Sequence, residues 1–491
     1  RATFGPQGIA STDSADETIR YGHDYTGRIT KVTNADGAEA RIHYGAHGKV
    51  AAIEVLVPDA PTFTTAYEYD SLHRLTKVVD PSGGEIRYDY DDAGRLTTIE
   101  HPNGVTTRRE YGDLDSPTVV AHVKGAAALR TSSYGYDAAG RVTSRQEDED
   151  SYAYGYDALG ALASESGPSG TTTWSRDALG DIVGESGVAP ARGGDGRLLS
   201  VDGQALTHDG RGNRASGLGQ SYSWDGRNRL RSASGVTMRY DMEGHLVGWT
   251  AAQGERKCLF VPGAVLAHGE DVCVLAYGGG GISLFSYDTE GIAAEHGAKT
   301  RYVQRDASGS VVAVTDQQGA VKGSYRWSAY GEPVASSGES FLFGYHGEIA
   351  LGGLVYLRNR WYDPRTKEFL SLEPEPPTRG TPASLSAYGF LVRPPGDARP
   401  ANGNPLGHRD PSGRMTLGGL SVGMSISSNM RAMMHAAVHC AKGIAIQQIK
   451  SFALNRTKEI AIGFLLGPGG AAAAPILDAL MNDAGIHNRD F

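Results

Sequence analysis

The clearest pattern in the chain is a short unit in which aromatic, polar and glycine positions recur in a fixed order. The phrase Y-x-Y-D-x-x-G-R-L-T, complete or partly decayed, starts at Tyr67, Tyr88, Tyr134 and Tyr154. Its aspartate position recurs every 20–25 residues up to Asp177, and shorter copies follow at a step of 16 around Asp209, Asp225 and Asp241. Such self-similarity at a fixed step is typical of repeat architectures.

Each unit is too short to hold a strand, a crossover helix and a second strand, but it fits two short strands and two turns. The Tyr-x-Tyr spacing places both rings on one face of a strand. Asp-x-x-Gly is turn chemistry, because Asp bonds its own backbone and Gly accepts a positive φ. Stacked hairpins of this kind predict one long sheet, in which the repeated Tyr and Asp side chains are structural.

A different pattern starts near Met415, where helical spacing replaces the turn-rich units. Apolar residues lie at i+3 and i+4 steps between 431 and 455. Residues 460–477 carry no charge, a marginal length for crossing a bilayer, and the segment 467–470 and Pro475 interrupt them. We expect a short helical pair, which either inserts into a membrane or packs as a buried pair.

Composition supports a boundary at the same place. The 491 residues carry a formal net charge of -9, which argues against a surface built for nucleic acid. Residues 415–491 hold six basic and four acidic residues, which leaves -11 for residues 1–414. Three cysteines exclude a disulfide-dense scaffold. Because the chain starts at Arg1 without an initiator Met, we expect it to be part of a longer protein.

The units and three later stretches carry a family resemblance. The stretches are TRYVQRDASGS at 300–310, YRWSAYGE at 325–332, and LVYLRNRWYDP with EFLS between 354 and 371. Together they resemble the YD repeats and associated core of the Rhs family, which includes polymorphic bacterial toxins and the C component of insecticidal ABC toxin complexes. The resemblance implies an all-β fold, with hairpins forming a large wound sheet, a hollow shell around a small α-helical C-terminal segment.

This resemblance divides the chain into three parts. Residues 1–298 are expected to form the YD-repeat shell, 299–414 the Rhs-associated core with an autoproteolysis motif, and 415–491 the variable helical toxin segment enclosed by the shell. The motif N-P-x-x-x-x-D-P-x-G is spelled by Asn404, Pro405, Asp410, Pro411 and Gly413.

In the family this motif resembles an aspartyl autoprotease, and carried over it implies a cut between Arg414 and Met415. Asp410 is the catalytic candidate. Glu373 stands where many members have an Asp-Pro, and Asp397 is a second possible partner. Two carboxylates at one site share a proton, so one activates water and the other donates to the amide carbonyl. Asp-Pro-Ser-Gly is also a β-turn sequence in its own right.

The tail contains a further candidate, His435 and His439, which at i and i+4 could share a zinc ion. No acidic residue stands between them as in H-E-x-x-H, so packed or solvated histidines are favoured. We therefore expect no cofactor and no metal. The tail is also poor in the His, Asp, Asn and Lys clusters that a nuclease would need.

The leading hypothesis is an Rhs toxin used in interbacterial competition, which frees a membrane-active tail by self-cleavage. The resemblance implies delivery into target cells by a contact-dependent machine such as type VI secretion, with the tail acting at the target inner membrane. Its expected partners are a cognate immunity protein, a secretion spike or chaperone and the target membrane, with no nucleic acid. The alternatives are the C component of an ABC toxin and a noncatalytic YD-repeat cell-surface binding protein.

Overall fold

The computed structural model describes residues 2–372, apart from 6–7, 14–17, 114, 178–179, 243, 262–271 and 280, together with Tyr388 and Leu406. The chain divides into two units, Arg1–Ser421 and Val422–Phe491, and the second lies outside the described residues. The described part contains 39 strands in four antiparallel sheets and two short 3₁₀ turns, Ala46–Gly48 and Tyr345–Gly347. The predicted all-β architecture with large hairpin sheets is confirmed.

The first sheet has 18 strands, each paired with the next along the chain. These strands are β1 Ala2–Gly5, β2 Gly8–Asp13, β3 Thr18–His23, β4 Ile29–Thr33, β5 Glu39–Tyr44, β6 Val50–Leu56, β7 Phe63–Tyr69, β8 Leu75–Val79, β9 Glu85–Tyr90, β10 Leu96–Glu100, β11 Val105–Tyr111, β12 Pro117–Lys124, β13 Ala127–Tyr136, β14 Val142–Glu147, β15 Asp150–Tyr156, β16 Leu162–Gly167, β17 Gly170–Arg176 and β18 Ile182–Glu185.

The other three sheets follow in chain order. The second sheet has β19 Ala191–Arg192, β20 Leu198–Val201 and β21 Gln204–Ala205. The third has β22 Thr207–His208, β23 Arg214–Gly217, β24 Gln220–Trp224, β25 Leu230–Ala233, β26 Val236–Tyr240, β27 Leu246–Ala251, β28 Gly254–Val261, β29 Val272–Gly278, β30 Gly281–Asp288, β31 Gly291–Gly297, β32 Arg301–Arg305, β33 Val311–Thr315, β34 Val321–Trp327 and β35 Pro333–Gly338. The fourth has β36 Ile349–Leu351, β37 Leu354–Leu357, β38 Arg360–Asp363 and β39 Glu368–Phe369.

The Asp-x-x-Gly segments are the turns that join these strands. Between β9 and β10, the amide of Gly94 donates to the carbonyl of Asp91 at 2.9 Å. The Asp91 carboxylate accepts from the amide of Arg95 at 2.8 Å, and Gly94 has a φ of 81°. Aspartate thus holds the turn from inside, and glycine takes the left-handed conformation. The turn interpretation of the repeat is confirmed.

A β-bulge follows the turn in hairpins such as β7–β8 and β9–β10 and accounts for the Thr of the repeat, whereas β8 and β9 pair regularly across the turn at 80–83. In the β7–β8 hairpin Tyr69 pairs with Leu75 and Glu68 with Lys77, so Thr76 is the extra residue. Its hydroxyl donates to the carbonyl of Glu68 at 3.2 Å. Thr97 is the extra residue of the β9–β10 hairpin in the same way. A bulge increases the local twist, so its repetition twists the sheet at each unit.

The third sheet runs along one end of the first sheet's hairpins, and we call this contact the seam. Three turns of the first sheet contact the third sheet here, in the same order along the chain. Asn34 donates to the Tyr277 hydroxyl at 2.6 Å, the Tyr302 hydroxyl donates to Asp80 at 2.9 Å, and Asn103 donates to Thr315 at 2.9 Å. Buried apolar residues of both sheets, such as Ile86 and Leu284, belong to one core. The first residue of each of these turns, Asn34, Asp80 and His101, is buried at the seam.

The predicted domain boundaries stay predictions. Position 298/299 falls between β31 and β32, which pair with each other in the third sheet, and 414/415 lies outside the described residues. Within the described part of the chain, no helix has the length and apolar character needed to span a bilayer.

Candidate functional site

The residues of the predicted cleavage site all lie outside the described part of the chain. They are Asp410, Glu373, Asp397, Asn404, Pro405, Pro411, Gly413, Arg414 and Met415. The same holds for His435 and His439. Their mutual geometry therefore stays a prediction. What the structure does show is the fourth sheet, which we call the platform, and two residues of the following segment, Tyr388 and Leu406, that are anchored near it.

A buried charged cluster lies under this platform. The guanidinium of Arg214 lies 3.2 Å from the Asp363 carboxylate and 3.7 Å from that of Glu368. Asp363 and Glu368 face each other across strands β38 and β39. Arg192 donates to Glu368, and Arg365 donates to both oxygens of Asp363 at 3.0 Å. Two carboxylates are thus held together by three arginines, of which Arg192 and Arg214 come from distant parts of the chain.

The electrostatics of this cluster favour a structural role. Burial raises the pKa of Glu368, and the positive charges of Arg192 and Arg214 oppose that rise. An acid that activates water has to present a free oxygen to its substrate. Asp363 has no exposed surface, and both of its oxygens accept hydrogen bonds from arginine. The pair therefore ties the fourth sheet to β23 rather than forming a second cleavage site.

Tyr388 anchors the chain after it has left the fourth sheet. The amide of Phe369 donates to the Tyr388 carbonyl at 3.0 Å, which adds one more backbone pairing beside β39. The Tyr388 hydroxyl donates to the Gly212 carbonyl at 2.6 Å, and its side chain is buried. Burial raises the pKa of this hydroxyl, which stays protonated as a donor. The chain is thus fixed to the platform 16 residues before Asn404.

Leu406 is a second anchor, inside the motif itself. It is half-buried and packs against an apolar cluster that combines the first, third and fourth sheets. The cluster is formed by Val142, Tyr152, Tyr154, Leu162, Trp174, Ala329, Tyr330, Tyr345, Val355, Leu357, Tyr362 and Phe369. Neither anchor could be predicted from the sequence, because both depend on contacts with residues far away along the chain.

The tetrapeptide Asp-Pro-Ser-Gly occurs a second time, at 80–83, where the structure describes it fully. There it is a turn. One oxygen of Asp80 accepts from the amide of Ser82 at 2.8 Å, its hydroxyl at 2.6 Å and the amide of Gly84 at 2.9 Å. The other oxygen accepts from Tyr302. The same four residues can therefore form a saturated structural turn, which is the alternative interpretation of Asp410.

Two family models match the chain. The RHS repeat matches residues 62–85 and 69–107, and the teneurin YD-shell matches residues 194–390. The second match covers the third and fourth sheets and ends two residues after Tyr388.

Curated relatives match shorter stretches. A tRNA(Glu)-specific nuclease WapA of Bacillus subtilis subsp. natto is 26% identical over 173 residues, which is 33% of this chain and 7% of the relative. A tRNA3(Ser)-specific nuclease WapA of Bacillus spizizenii is 29% identical over 144 residues, 28% of this chain and 5% of the relative. The chain therefore spans less than a tenth of the length of these relatives.

Solved structures share the fold. A TcdB2-TccC3-Cdc42 crystal structure has a TM-score of 0.53 at 15% identity. The match covers 82% of this chain and 22% of the chain in that structure. The Tc holotoxin pore of Photorhabdus luminescens has a TM-score of 0.51 at 15% identity and covers 85% of this chain and 28% of its own.

Proposed function

The chain belongs to the Rhs/YD-repeat family, and from that premise we propose that it is a toxin-type shell protein that cuts itself between Arg414 and Met415. In this proposal the sheets of residues 1–414 hold residues 415–491 until delivery. The observation that carries it is the anchoring of Tyr388 and Leu406 on the platform, on either side of the start of the motif. A segment fixed at these two points brings the motif to one place on the shell.

The proposed reaction is hydrolysis of one peptide bond. The ionised carboxylate of the pair takes a proton from water, and the water oxygen bonds to the carbonyl carbon of Arg414. The protonated carboxyl donates to that carbonyl oxygen. The bond to the nitrogen of Met415 then breaks, and this nitrogen leaves as an amine after taking up a proton. Asp410 supplies one carboxyl group, and Glu373 or Asp397 supplies the other.

The distance from Leu406 limits where Asp410 can act. Four residues span at most about 14 Å of extended chain. The proposed acid is therefore tied to the neighbourhood of the apolar cluster under Leu406, which excludes water from one side. Low solvent access favours a shared proton between two carboxyl groups.

Denaturing gel electrophoresis of purified variants tests this proposal. Wild type is expected to give a 77-residue fragment, residues 415–491, and Asp410→Asn is expected to abolish it. Glu373→Gln and Asp397→Asn identify the partner, because only the loss of the true partner stops cleavage. Asp80→Asn is the matched control, since it makes the same change in an identical tetrapeptide and should leave the fragment. A wild-type protein that remains one band contradicts the proposal.

We propose a membrane-active role for the released tail, acting at the target inner membrane after delivery by a contact-dependent machine such as type VI secretion. The uncharged run at 460–477 supports this role. A cognate immunity protein and a secretion spike or chaperone are the proposed partners. Dye release from liposomes by the released tail is the expected result, and absence of leakage at every pH tested contradicts it.

The curated relatives are named as tRNA nucleases, but we assign no nuclease activity to this tail. Residues 415–491 contain three His, three Asp and one Glu among 77 residues, without the clusters that metal-assisted or acid-base cleavage of RNA requires.

The second candidate function is the C component of an insecticidal ABC complex, and the fold shared with the TcdB2-TccC3 structures favours it. It predicts the same self-cleavage but also a separate partner protein that completes the shell. A noncatalytic cell-surface protein is the remaining alternative, and it predicts an uncut chain.

A further inference from the structure

Three histidines are buried at the seam, where no proposed step of cleavage uses them. His101 starts the turn after β10, His122 lies in β12, and His296 lies in β31. Their side chains are 6%, 2% and 4% exposed. His101 and His296 flank the ring of Tyr302, with centroids 5.8 and 6.2 Å away. Buried imidazoles in this number are unusual because histidine is commonly half-exposed.

Neither ring nitrogen of His101 or of His296 has a hydrogen-bond partner. The Nε2 atom of His296 lies 4.0 Å from the Asp80 carboxylate, beyond hydrogen-bond distance, and that carboxylate already accepts from Tyr302. A neutral imidazole tolerates this environment at moderate cost. A charged imidazole without a hydrogen-bonded counter-ion is far more costly in a buried site.

The charged groups around His101 do not compensate for a proton. The positive charge of Arg305 in β32 opposes protonation, while Asp288 of β30 favours it. Asp288, however, is held by both terminal nitrogens of Arg305, at 2.9 and 2.5 Å. Burial is the main cause that lowers the pKa of His101 to about 4.

His122 lies near two arginines from neighbouring strands and near the imidazole of His101. Arg109 of β11 and Arg130 of β13 lie near it, and His101 adds a third group that repels a proton. Its Nδ1 atom bonds the Thr107 hydroxyl at 2.8 Å, and the backbone of Arg305 partly favours the charged form. Burial lowers the pKa of His122 to about 3. For His296, burial lowers the pKa and Asp80 opposes the shift.

We propose that these three histidines make the seam acid-labile, so that protonation of the imidazoles on acidification separates the third sheet from the turns of the first. Beside the apolar core that the two sheets share, the seam contains polar contacts at turn ends, such as Asn34 to Tyr277 and Asn103 to Thr315, and these can re-form with water. The proposed response to acid therefore lies in the contact between the first and third sheets. It does not depend on self-cleavage.

Proton binding determines whether acid stabilises or destabilises the closed seam. Opening lets each histidine return to its ordinary pKa of 6.5, so the open state binds protons that the closed state cannot. The closed seam is fully stable above pH 6.5 and loses stability as the pH falls below that value. For a group such as His101, the open-to-closed ratio rises about 30-fold between pH 7.5 and pH 5.

Hydrogen exchange measured at pH 7.5 and pH 5, corrected for the intrinsic rate, tests the proposal. In wild type, strands β10–β12 and β31–β33 are expected to open at least 30-fold more at pH 5, whereas β36–β39 change less. His101→Asn is the sharpest variant, because Asn34 and Asp80 occupy the same turn position in neighbouring hairpins. It should reduce the increase by about 30-fold. His43→Asn, at an exposed histidine, should leave the increase unchanged.

Two results would overturn the proposal. One is a wild-type seam that opens no more at pH 5 than at pH 7.5. The other is an unchanged acid response in His101→Asn, or in His296→Asn if the first variant does not fold. The band pattern on a denaturing gel is measured separately, so failure of self-cleavage and failure of the acid-labile seam remain distinguishable.

Discussion

In five places an arginine links one repeat unit to the next. The guanidinium of Arg141 lies 4.6 Å over the ring of Tyr156, and its Nε atom donates to Asp137 at 2.7 Å. The Tyr156 hydroxyl donates in turn to the carbonyl of Val142 at 2.7 Å. The same arrangement joins Arg28 to Tyr44, Arg74 to Tyr90, Arg95 to Tyr111 and Arg229 to Tyr240. The arginine of the repeat thus has a defined role that the local pattern did not reveal.

Replacing this arginine should destabilise the sheet. Arg141→Ala removes a stacked cation and a charge-assisted hydrogen bond, and is expected to lower the free energy of unfolding by about 1–2 kcal/mol. Arg87→Ala is the control, since Arg87 pairs with Glu85 on the surface without an aromatic partner and should leave stability unchanged. Urea denaturation measures both. Equal effects from the two variants would contradict the linking role.

Much of the residue-level picture could be predicted from the sequence. Asp91 and Gly94 form hydrogen bonds and take conformations within five residues, so the local sequence pattern is enough to predict the turn. The pairing of Arg95 with Tyr111 spans two strands and a turn, and it becomes visible only when neighbouring units are aligned. The burial of Asp363 by Arg214 was beyond any local pattern, since 149 residues separate them.

At the scale of the element, the turns differ in the residue that takes the left-handed conformation. Most units use glycine, such as Gly140 with a φ of 76°, but His73 adopts a φ of 63° at the same turn position. A side chain in this conformation is strained by contact with its own backbone, and glycine is not. Glycine and a residue with a side chain should therefore differ measurably in the free energy of unfolding when they occupy this position.

Exchanging residues at this position should lower stability where a glycine is replaced but not where a glycine is introduced. Gly140→Ala is expected to lower the free energy of unfolding by about 1 kcal/mol, because no atom lies within 4 Å of the new Cβ and only the backbone strain remains. His73→Gly relieves the same strain and should leave stability equal or slightly higher. Thermal denaturation measures both. A destabilised His73→Gly together with an unaffected Gly140→Ala would refute the turn assignment.

The existence and type of the elements followed from the period of the pattern, but their assembly did not. Hairpins and turns are local, so Y-x-Y-D-x-x-G predicted them. The division into four sheets and the seam depend on contacts such as Asp80 with Tyr302, which lie 222 residues apart. The burial of His101 was equally hidden, because a turn residue is expected to be solvent-exposed until the third sheet is placed against it.

At the scale of the whole molecule, the described residues form the large first sheet and the third sheet, which contact each other in the same order along the chain. Contacts between the two join positions roughly 150 to 240 residues apart, from Asn34 with Tyr277 to Arg176 with Tyr330. Contacts in this order arise when a chain of consecutive hairpins folds back, so that its later strands lie against its earlier turns. The proposed cleavage motif starts between the two last anchored residues, Tyr388 and Leu406, which is why we place release of the tail there.

The most direct test compares native size-exclusion chromatography with intact-mass spectrometry of the freshly purified protein. The account predicts one native species that separates on denaturation into two fragments, the smaller one beginning at Met415. A single uncut mass of 51.9 kDa, or a tail that elutes apart from the sheets under native conditions, would contradict the claim that the shell cuts and retains its C-terminal segment.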